Sequence, residues 1–234
     1  MKQWHKLYTS DIDGLSFNRL QLALFGYNGP TIMIIHETLQ GGKFGAYTTS
    51  RWKEASNFYG NEGNCFLFQM EPDFKIMHPL TTRRSKRNFN YCKLKGPYEP
   101  GQARGIGFGG SIKKPRLFLS ESFENCHALN QDSTFEKGDL LPYKKNEFGD
   151  LVPMTEFDVE YLEVWGVGGD DVVRKALGAR SQHREIKDAS LKKARQVDKA
   201  QFLNDFKSGL IESKAFAHRQ QITNRDGGDV EGLT

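Results

Sequence analysis

The stretch that decides the fold is "GIGFGGSIKKPRLFLSES" at residues 105–122. Its opening glycines, Gly105, Gly107 and Gly110, match the G-x-G-x-x-G pattern of a dinucleotide-binding turn. That turn needs a buried strand before the glycines and a helix after them, so that the helix N-terminus faces the pyrophosphate. Here a proline-containing stretch precedes the glycines, while Pro115 and the strand-like "RLFLS" follow them. The pattern therefore predicts a glycine-rich loop that enters a sheet strand, and not a nucleotide site.

The composition indicates one large globular domain with an appendage. The chain has 234 residues and is 12% aromatic, which is enough for a sizeable core. Its 33 basic and 29 acidic residues are too balanced for a dedicated nucleic-acid-binding protein. No apolar run is long enough to cross a bilayer, and the N-terminus lacks the apolar segment of a secretory signal. We therefore expect an intracellular protein, most simply cytoplasmic, with nuclear or organelle-surface association also open.

Apolar, β-branched runs and segments with a common apolar face predict that the chain between residues 5 and 94 is mostly β-structure. The predicted strands are 30–37, 43–50, 64–71, 116–122 and 125–129, with "FKIMH" and "NFNYCKL" as further candidates. In 64–71 both faces are apolar, which predicts burial near the middle of a sandwich. The exception is a helix over 16–26, with Ser16 as N-cap, Gly26 as stop and an apolar stripe formed by Phe17, Leu20 and Leu24.

The final strand is predicted at 156–168, after a long polar loop at 130–155. Its odd positions place Glu163 on one face with apolar or aromatic neighbours, namely Phe157, Val159, Tyr161, Trp165 and Val167. A carboxylate on such a face is costly unless it is hydrogen-bonded or paired. Glu163 then has either a raised pKa and a catalytic or sensing role, or a structural role as a buried acceptor that ties loop amides or an arginine to the sheet. We favour the structural role.

After residue 169 the composition changes to helix-forming residues with few large apolar groups. We predict a helical extension over 170–225 and a disordered tail over 226–234. Phe202, Phe206 and Leu210 fall at helical spacing within the extension. They predict either a helix that docks on a partner or a solvent-exposed helix anchored across the sandwich.

Five sequence blocks give a family resemblance. In order they are "KLYTSDIDGLSFNRL", "GPTIMIIHETLQGGKFGAYTTSRW", "YGNEGNCFLFQMEP", "GIGFGGSIKKPRLFLSESFENCHAL" and "FDVEYLEVWG", which together cover about residues 4–168. This series resembles the TLDc domain family, and the last two blocks are its most specific pieces. The chain departs from the usual pattern in a longer loop at 137–155 and in its continuation beyond "EVWG".

The TLDc resemblance implies a sandwich of two mostly antiparallel sheets, with short helices outside. The expected fold is therefore mainly β with flanking helices, comprising a two-layer antiparallel β-sandwich over 1–169 and the helical extension. The family has no established catalytic mechanism. Its members are associated with protection from oxidative damage, and several bind the vacuolar-type proton ATPase.

Few other residues suggest chemistry. Three widely spaced cysteines, Cys65, Cys92 and Cys126, predict no disulfide framework and fit a reducing compartment. Arg87, Lys93 and Lys95 near Cys92 favour a lowered thiol pKa and oxidation, although an ordinary strand cysteine is the more common case. His36 beside Glu37 and His127 beside Cys126 lack the spacing of a metal motif. The basic loop 81–87 is either a solvated loop, which we favour, or a localisation signal or contact for an acidic partner.

The sequence thus predicts a non-catalytic protein-interaction domain with no cofactor or metal, no nucleic-acid partner and no membrane insertion. The expected partner is a protein, with the vacuolar-type ATPase implied by the resemblance. The candidate interaction or functional residues are Glu163, Trp165, Cys92, Phe202, Phe206 and Leu210. Two alternatives stay open: a redox-active or hydrolytic enzyme using Glu163 or Cys92, and a structural component of a larger assembly.

Overall fold

The computed structural model describes most of the chain up to residue 178. The described residues are 4–38, 41–83, 85–94, 103–142 and 152–178, with the helical positions 181, 185, 188–190, 192–193 and 199. A first compact unit ends at Arg180, and a second one starts at Ser181. The predicted tail and the candidate residues Phe202, Phe206 and Leu210 lie outside the described residues.

The described residues form twelve strands and two short helices ahead of residue 170. The strands are β1 His5–Thr9, β2 Thr31–Glu37, β3 Lys43–Thr48, β4 Ala55–Tyr59, β5 Cys65–Glu71, β6 Lys75–Met77, β7 Asn90–Lys93, β8 Gly105–Phe108, β9 Leu117–Ser120, β10 Cys126–Leu129, β11 Met154–Phe157 and β12 Val159–Gly166. The helices are α1 Ser10–Asp13 and α2 Phe17–Phe25.

The strands build two antiparallel sheets of six strands each. The first sheet has the order β1-β12-β2-β3-β5-β6, and the second has the order β11-β10-β9-β8-β7-β4. This arrangement confirms the predicted two-layer antiparallel sandwich.

The core lies between the two sheets because alternate residues of each strand point inward. In β2, for example, Met33 and Ile35 are buried while their neighbours Ile32 and Ile34 are only half-buried. Leu162 of β12 is also fully buried in this core.

The predicted first helix is confirmed as α2. Ser16 occupies the N-cap position in an extended conformation, and Gly26 follows the last turn. The predicted stripe of Phe17, Leu20 and Leu24 is buried, so the apolar face of this helix holds it against the sandwich.

The first four residues of the glycine stretch are a strand, so the predicted loop was wrong there, whereas Gly109 and Gly110 lie in a bend that leads toward β9. Gly105–Phe108 forms β8, in the middle of the second sheet. A Cβ on Gly105 would lie 2.1 Å from the Leu119 carbonyl oxygen and 2.7 Å from the Phe118 ring. Glycine is therefore required because a neighbouring backbone and an aromatic ring approach too closely for any side chain.

The last glycine of the stretch does bind an anion, although this anion belongs to the chain itself. Gly110 has φ +72°, in the left-handed region, and its N–H donates to the Asp132 carboxylate at 2.7 Å. The N–H groups of Thr134 and Phe135 donate to the same carboxylate at 2.9 and 3.1 Å. The Gly110 N–H, which the nucleotide pattern would direct at a phosphate, thus donates to an aspartate side chain of the same chain.

Three other strands were not predicted. β1 and β4 are too short or too polar to show clear alternation, and β11 straddles the end of the predicted loop at 130–155 and the start of the predicted final strand. The final strand begins at Val159 and not at 156. Pairing with neighbouring strands, which local sequence does not encode, stabilises such short segments.

The C-terminal helical prediction is confirmed for the described positions. Residues 170–178 and the described positions between 181 and 199 are helical. Val173 and Ala176 pack into the sandwich core, and Asp170 bonds to His5 Nε2 at 2.8 Å. The first turns after residue 169 therefore belong to the compact unit. No helix among the described residues is both long and apolar enough to span a bilayer.

Candidate functional site

Glu163 lies on the outer face of the first sheet, and its predicted placement among Phe157 and Val159 was wrong. The register of β12 against β2 shifts between Val159 and Tyr161. This irregularity reverses the alternation, so that Leu162 and its even-numbered neighbours enter the core. Tyr161, Glu163 and Trp165 therefore lie together on the outer, half-exposed side.

The Glu163 carboxylate accepts three hydrogen bonds from side chains. Lys6 Nζ donates to Oε1 at 2.8 Å, Tyr161 OH donates to Oε1 at 2.5 Å, and Trp165 Nε1 donates to Oε2 at 2.7 Å. The Lys6 ammonium also lies 4.8 Å from the centre of the Trp165 ring, and Thr9 Oγ1 lies 2.8 Å from Tyr161 OH. We call these five residues the carboxylate cluster.

The carboxylate cluster keeps Glu163 charged. Burial alone would raise the pKa of this carboxyl, but the hydrogen bonds from Lys6, Tyr161 and Trp165 outweigh burial and lower it. The same Glu163 contact raises the pKa of Lys6. The hypothesis of a raised pKa at Glu163 was therefore wrong, and the structural role is favoured. The donors are a lysine and two aromatic side chains, however, and not the predicted arginine or loop amides.

Cys92 is fully buried in β7, with its side chain in the core. Burial, with a smaller contribution from the Glu54 charge, raises the pKa of this thiol to about 12. The hypothesis of a lowered pKa was wrong because the thiol faces the core, where burial disfavours the charged thiolate. Burial likewise raises the pKa of Cys126 to about 11 and that of Cys65 well above its ordinary range.

The two histidines considered as ligands have structural surroundings. The His36 ring packs edge-on against Tyr161 at 5.1 Å, and the His127 ring stacks on Phe118 at 5.3 Å. Burial lowers the pKa of His127, so this ring is neutral at physiological pH. In the described part of the chain, no three His, Cys, Asp or Glu side chains converge as metal ligands would.

The outer face of the first sheet is apolar over most of its width. Register places Trp165, Ile32, Tyr47 and Phe66 in one row across four strands. The next row runs from Glu163 through Ile34, Gly45 and Phe68 to Ile76. We call the set Ile32, Ile34, Tyr47, Phe66, Ile76 and Trp165 the outer apolar face.

Aromatic packing organises the outer apolar face. Tyr47 and Phe66 stack with their ring centres 4.8 Å apart, and Phe66 lies 6.2 Å from Phe68. The Phe68 ring covers Gly45, where a Cβ would lie 2.8 Å from Cζ. Phe68 is consequently buried, whereas Ile76 on the edge strand is 39% exposed. The face is an apolar surface that contacts water.

Sequence reasoning missed this face although its signal was present. The apolar residues on both sides of β5 led us to predict burial in the middle of the sandwich. Instead, β5 lies next to the edge strand β6, and its second apolar side points outward. Further apolar surface is exposed at Met70, near the end of β5, and at Phe74 in the connection to β6, where Phe74 is 72% exposed.

Comparison with known proteins defines the class of this sandwich. The sequence model of the TLDc domain family matches residues 1–168. The chain therefore belongs to the TLDc domain family.

Several known proteins are similar to this chain over most of its length. The MTOR-associated protein MEAK7 of Danio rerio is 27% identical over 165 residues, which is 70% of this chain and 33% of that protein. Restriction of telomere capping protein 5 of Colletotrichum graminicola is 25% identical over 218 residues, which is 76% of this chain and 35% of that protein. Nuclear receptor coactivator 7 of Mus musculus is 25% identical over 162 residues, which is 69% of this chain and 14% of that protein. The chain thus spans about a third or less of the length of these relatives.

Proposed function

We propose that this TLDc domain is a non-catalytic protein-interaction module whose binding surface is the outer apolar face. The observation that carries this proposal is the row of Trp165, Ile32, Tyr47 and Phe66 on a side of the sheet that contacts water. The outer face of an antiparallel sandwich is ordinarily polar. Rigid aromatic side chains on an exposed surface contribute strongly to binding because their burial costs little conformational entropy.

The proposed partner is the vacuolar-type proton ATPase, in a complex formed inside the cell. This partner comes from the family resemblance, since several TLDc members bind that enzyme. Protection from oxidative damage would then be a consequence of binding and not of chemistry within the domain.

The reactive groups of the domain support a non-catalytic role. The Cys92 thiol, with a pKa of about 12, is protonated and inaccessible at neutral pH. The Glu163 carboxylate has its oxygens engaged by three donors and a lowered pKa, which suits neither a general acid nor a strong base.

A pair of matched substitutions tests the binding surface. Phe66→Arg places a charge on the outer apolar face, whereas Phe58→Arg places one on a half-buried aromatic of β4 in the other sheet. We expect Phe66→Arg to weaken binding to purified vacuolar-type ATPase by tenfold or more, while Phe58→Arg binds as the natural sequence does. Thermal melting of both variants controls for folding. Equal affinity of the two variants contradicts the proposed surface.

The C-terminal segment offers a second proposed contact. Phe202, Phe206 and Leu210 supply apolar side chains at helical spacing. A chain ending at residue 178 keeps Val173 and Ala176 in the core and removes only the segment beyond them. Loss of ATPase binding in this truncated chain supports docking by the segment, and full binding contradicts it.

The amount of substrate consumed per protein molecule distinguishes an enzyme from a non-catalytic interaction domain. A redox-active or hydrolytic enzyme using Cys92 or Glu163 would turn over many equivalents of substrate. With an excess of a thiol reductant present, we expect the purified chain to consume, above a protein-free control, at most about one equivalent of peroxide per exposed methionine, because its cysteines are buried. Catalytic consumption that Cys92→Ala abolishes contradicts the interaction role. A structural component of a larger assembly instead would remain bound at constant stoichiometry after purification.

A further inference from the structure

We propose that one end of the sandwich docks on membranes that carry anionic phospholipid headgroups. This inference does not depend on the proposed binding partner. The surface consists of exposed basic side chains on two neighbouring loops, namely Arg83, Lys86, Arg87, Lys113 and Lys114, and we call it the basic end.

Hydrogen bonds hold these two loops side by side. The Asn88 side-chain amide donates to the Gly110 carbonyl at 2.7 Å, and the Gly109 N–H donates to the Asn88 carbonyl at 2.8 Å. The next turn closes through reciprocal backbone bonds between Ser111 and Lys114 at 3.0 Å. Lys86 N–H bonds to the Ser133 carbonyl at 2.9 Å, which fixes the other loop. These bonds hold the backbone of the two loops side by side, so their basic residues lie at the same end of the sandwich.

The positive charge of the basic end is not neutralised within the described part of the chain. Arg83, Lys86 and Lys113 form no ion pair there, whereas Lys6, Lys43 and Lys75 elsewhere each contact a carboxylate. Carboxylates on the segments that contact these loops include Asp132, Glu62 and Glu136, the last of which accepts from the His78 N–H at 3.1 Å. Asp132 is engaged by three backbone amides, and Glu62 is exposed in the adjacent turn, next to the Gly63 carbonyl that Arg87 contacts at 3.4 Å. The local balance is therefore positive.

The position of the cations favours a bilayer over an acidic peptide. Arg83 and Lys113 lie in turns, and Lys113 is at a hairpin tip beside the half-buried Ile112. Protruding tips contact a planar charged surface first, whereas a peptide is usually held in a groove or along a strand edge. Polybasic surfaces bind anionic leaflets through the summed attraction of several lysines and arginines. Because these loops end the strands, the outer apolar face along the strands stays accessible to a protein.

The test is co-sedimentation of the full chain with vesicles. One set contains phosphatidylcholine alone, and the other contains phosphatidylcholine with about 30% phosphatidylserine, at about 0.1 M salt where surface attraction persists. We expect binding to the anionic set only. The triple variant Arg83→Gln, Lys86→Gln and Lys113→Gln should reduce the partition coefficient about tenfold or more, since each cation near an anionic surface contributes to binding.

Matched controls make the outcome decisive. The double variant Lys75→Gln and Lys175→Gln removes exposed lysines outside the basic end and should retain at least half of the binding. Circular dichroism confirms that each variant is folded. The proposal is overturned by equal binding to both vesicle sets, by no binding to the anionic set, or by a triple variant that binds as well as the double variant. It is also overturned if a soluble polyglutamate peptide binds more tightly than the vesicles, which assigns the surface to an acidic protein.

Discussion

Glu163 shows how a carboxylate at a sheet surface becomes a link between strands. Its bond to Lys6 joins the edge strand β1 to β12, and its bonds to Tyr161 and Trp165 orient two aromatic rings on the same face. The lysine that it contacts lies 157 positions away in sequence. Local alternation cannot reveal such a partner, which is why the sequence identified the residue but not its surroundings.

Replacing Glu163 tests this link. We expect Glu163→Gln to lower the free energy of unfolding by about 1–3 kcal/mol at pH 7, because charge-assisted hydrogen bonds are lost and an amide NH₂ faces donors. Urea denaturation measures the difference. Glu160→Gln, an exposed position on the same strand, is the control and should change stability by less than about 0.5 kcal/mol.

The lowered pKa of Glu163 also predicts how the stability difference between the natural sequence and Glu163→Gln changes with pH. A carboxyl whose folded pKa lies below its ordinary value of 4.5 contributes stability above that value, and this contribution disappears as the pH falls through the folded pKa. The difference between the natural sequence and Glu163→Gln should therefore be constant near neutrality and shrink below about pH 4.5. A difference that grows on acidification contradicts the lowered pKa.

Cys92 gives a second test at the residue scale. We expect its thiol to resist alkylation and mild peroxide in the folded protein, and to react at the rate of an ordinary thiol in urea, because burial protonates and shields it. Mass spectrometry of the modified peptides measures both rates, with Cys65 as an equally buried reference. Oxidation of Cys92 well ahead of Cys65 in the native state would restore the sensor hypothesis.

At the scale of elements, the structure explains why some segments were predictable. β2 is a continuous apolar, β-branched run and α2 carries an apolar stripe at helical spacing, so the sequence identified both. β8 was not predicted because its glycines are as typical of a turn as of a close approach between strands. The face of β12 was misassigned because a bulge shifts the alternation, and a bulge has no simple sequence signal.

Two glycines in the left-handed region, Gly14 and Gly110, should differ measurably in the cost of adding a side chain. Gly14 has φ +73° with open space around a Cβ, whereas a Cβ on Gly110 would lie 2.3 Å from the Lys114 carbonyl oxygen. We expect Gly14→Ala to cost about 1 kcal/mol from backbone conformation alone. Gly110→Ala should cost roughly 3 kcal/mol or more because backbone atoms must also move. Equal costs in urea denaturation would show that the close approach at Gly110 is unimportant.

For the whole molecule, the helix after residue 169 is part of the folded unit. We expect a chain ending at 178 to melt within a few degrees of the full chain. A chain ending at 169 should be less stable by about 2 kcal/mol or more, because it loses the buried side chains of Val173 and Ala176. Circular dichroism melting measures both. Identical melting of the two truncations contradicts the packing of this helix on the core.

The most direct test of the interaction role is site-specific photo-crosslinking to purified vacuolar-type ATPase. A benzophenone side chain replaces Tyr47 on the outer apolar face in one variant and Phe58 on the other sheet in the second. We expect a crosslinked ATPase subunit from position 47 and none from position 58, with crosslinking suppressed by excess unlabelled chain. Crosslinking from position 58 alone, or from neither position while the complex forms, contradicts binding through this face.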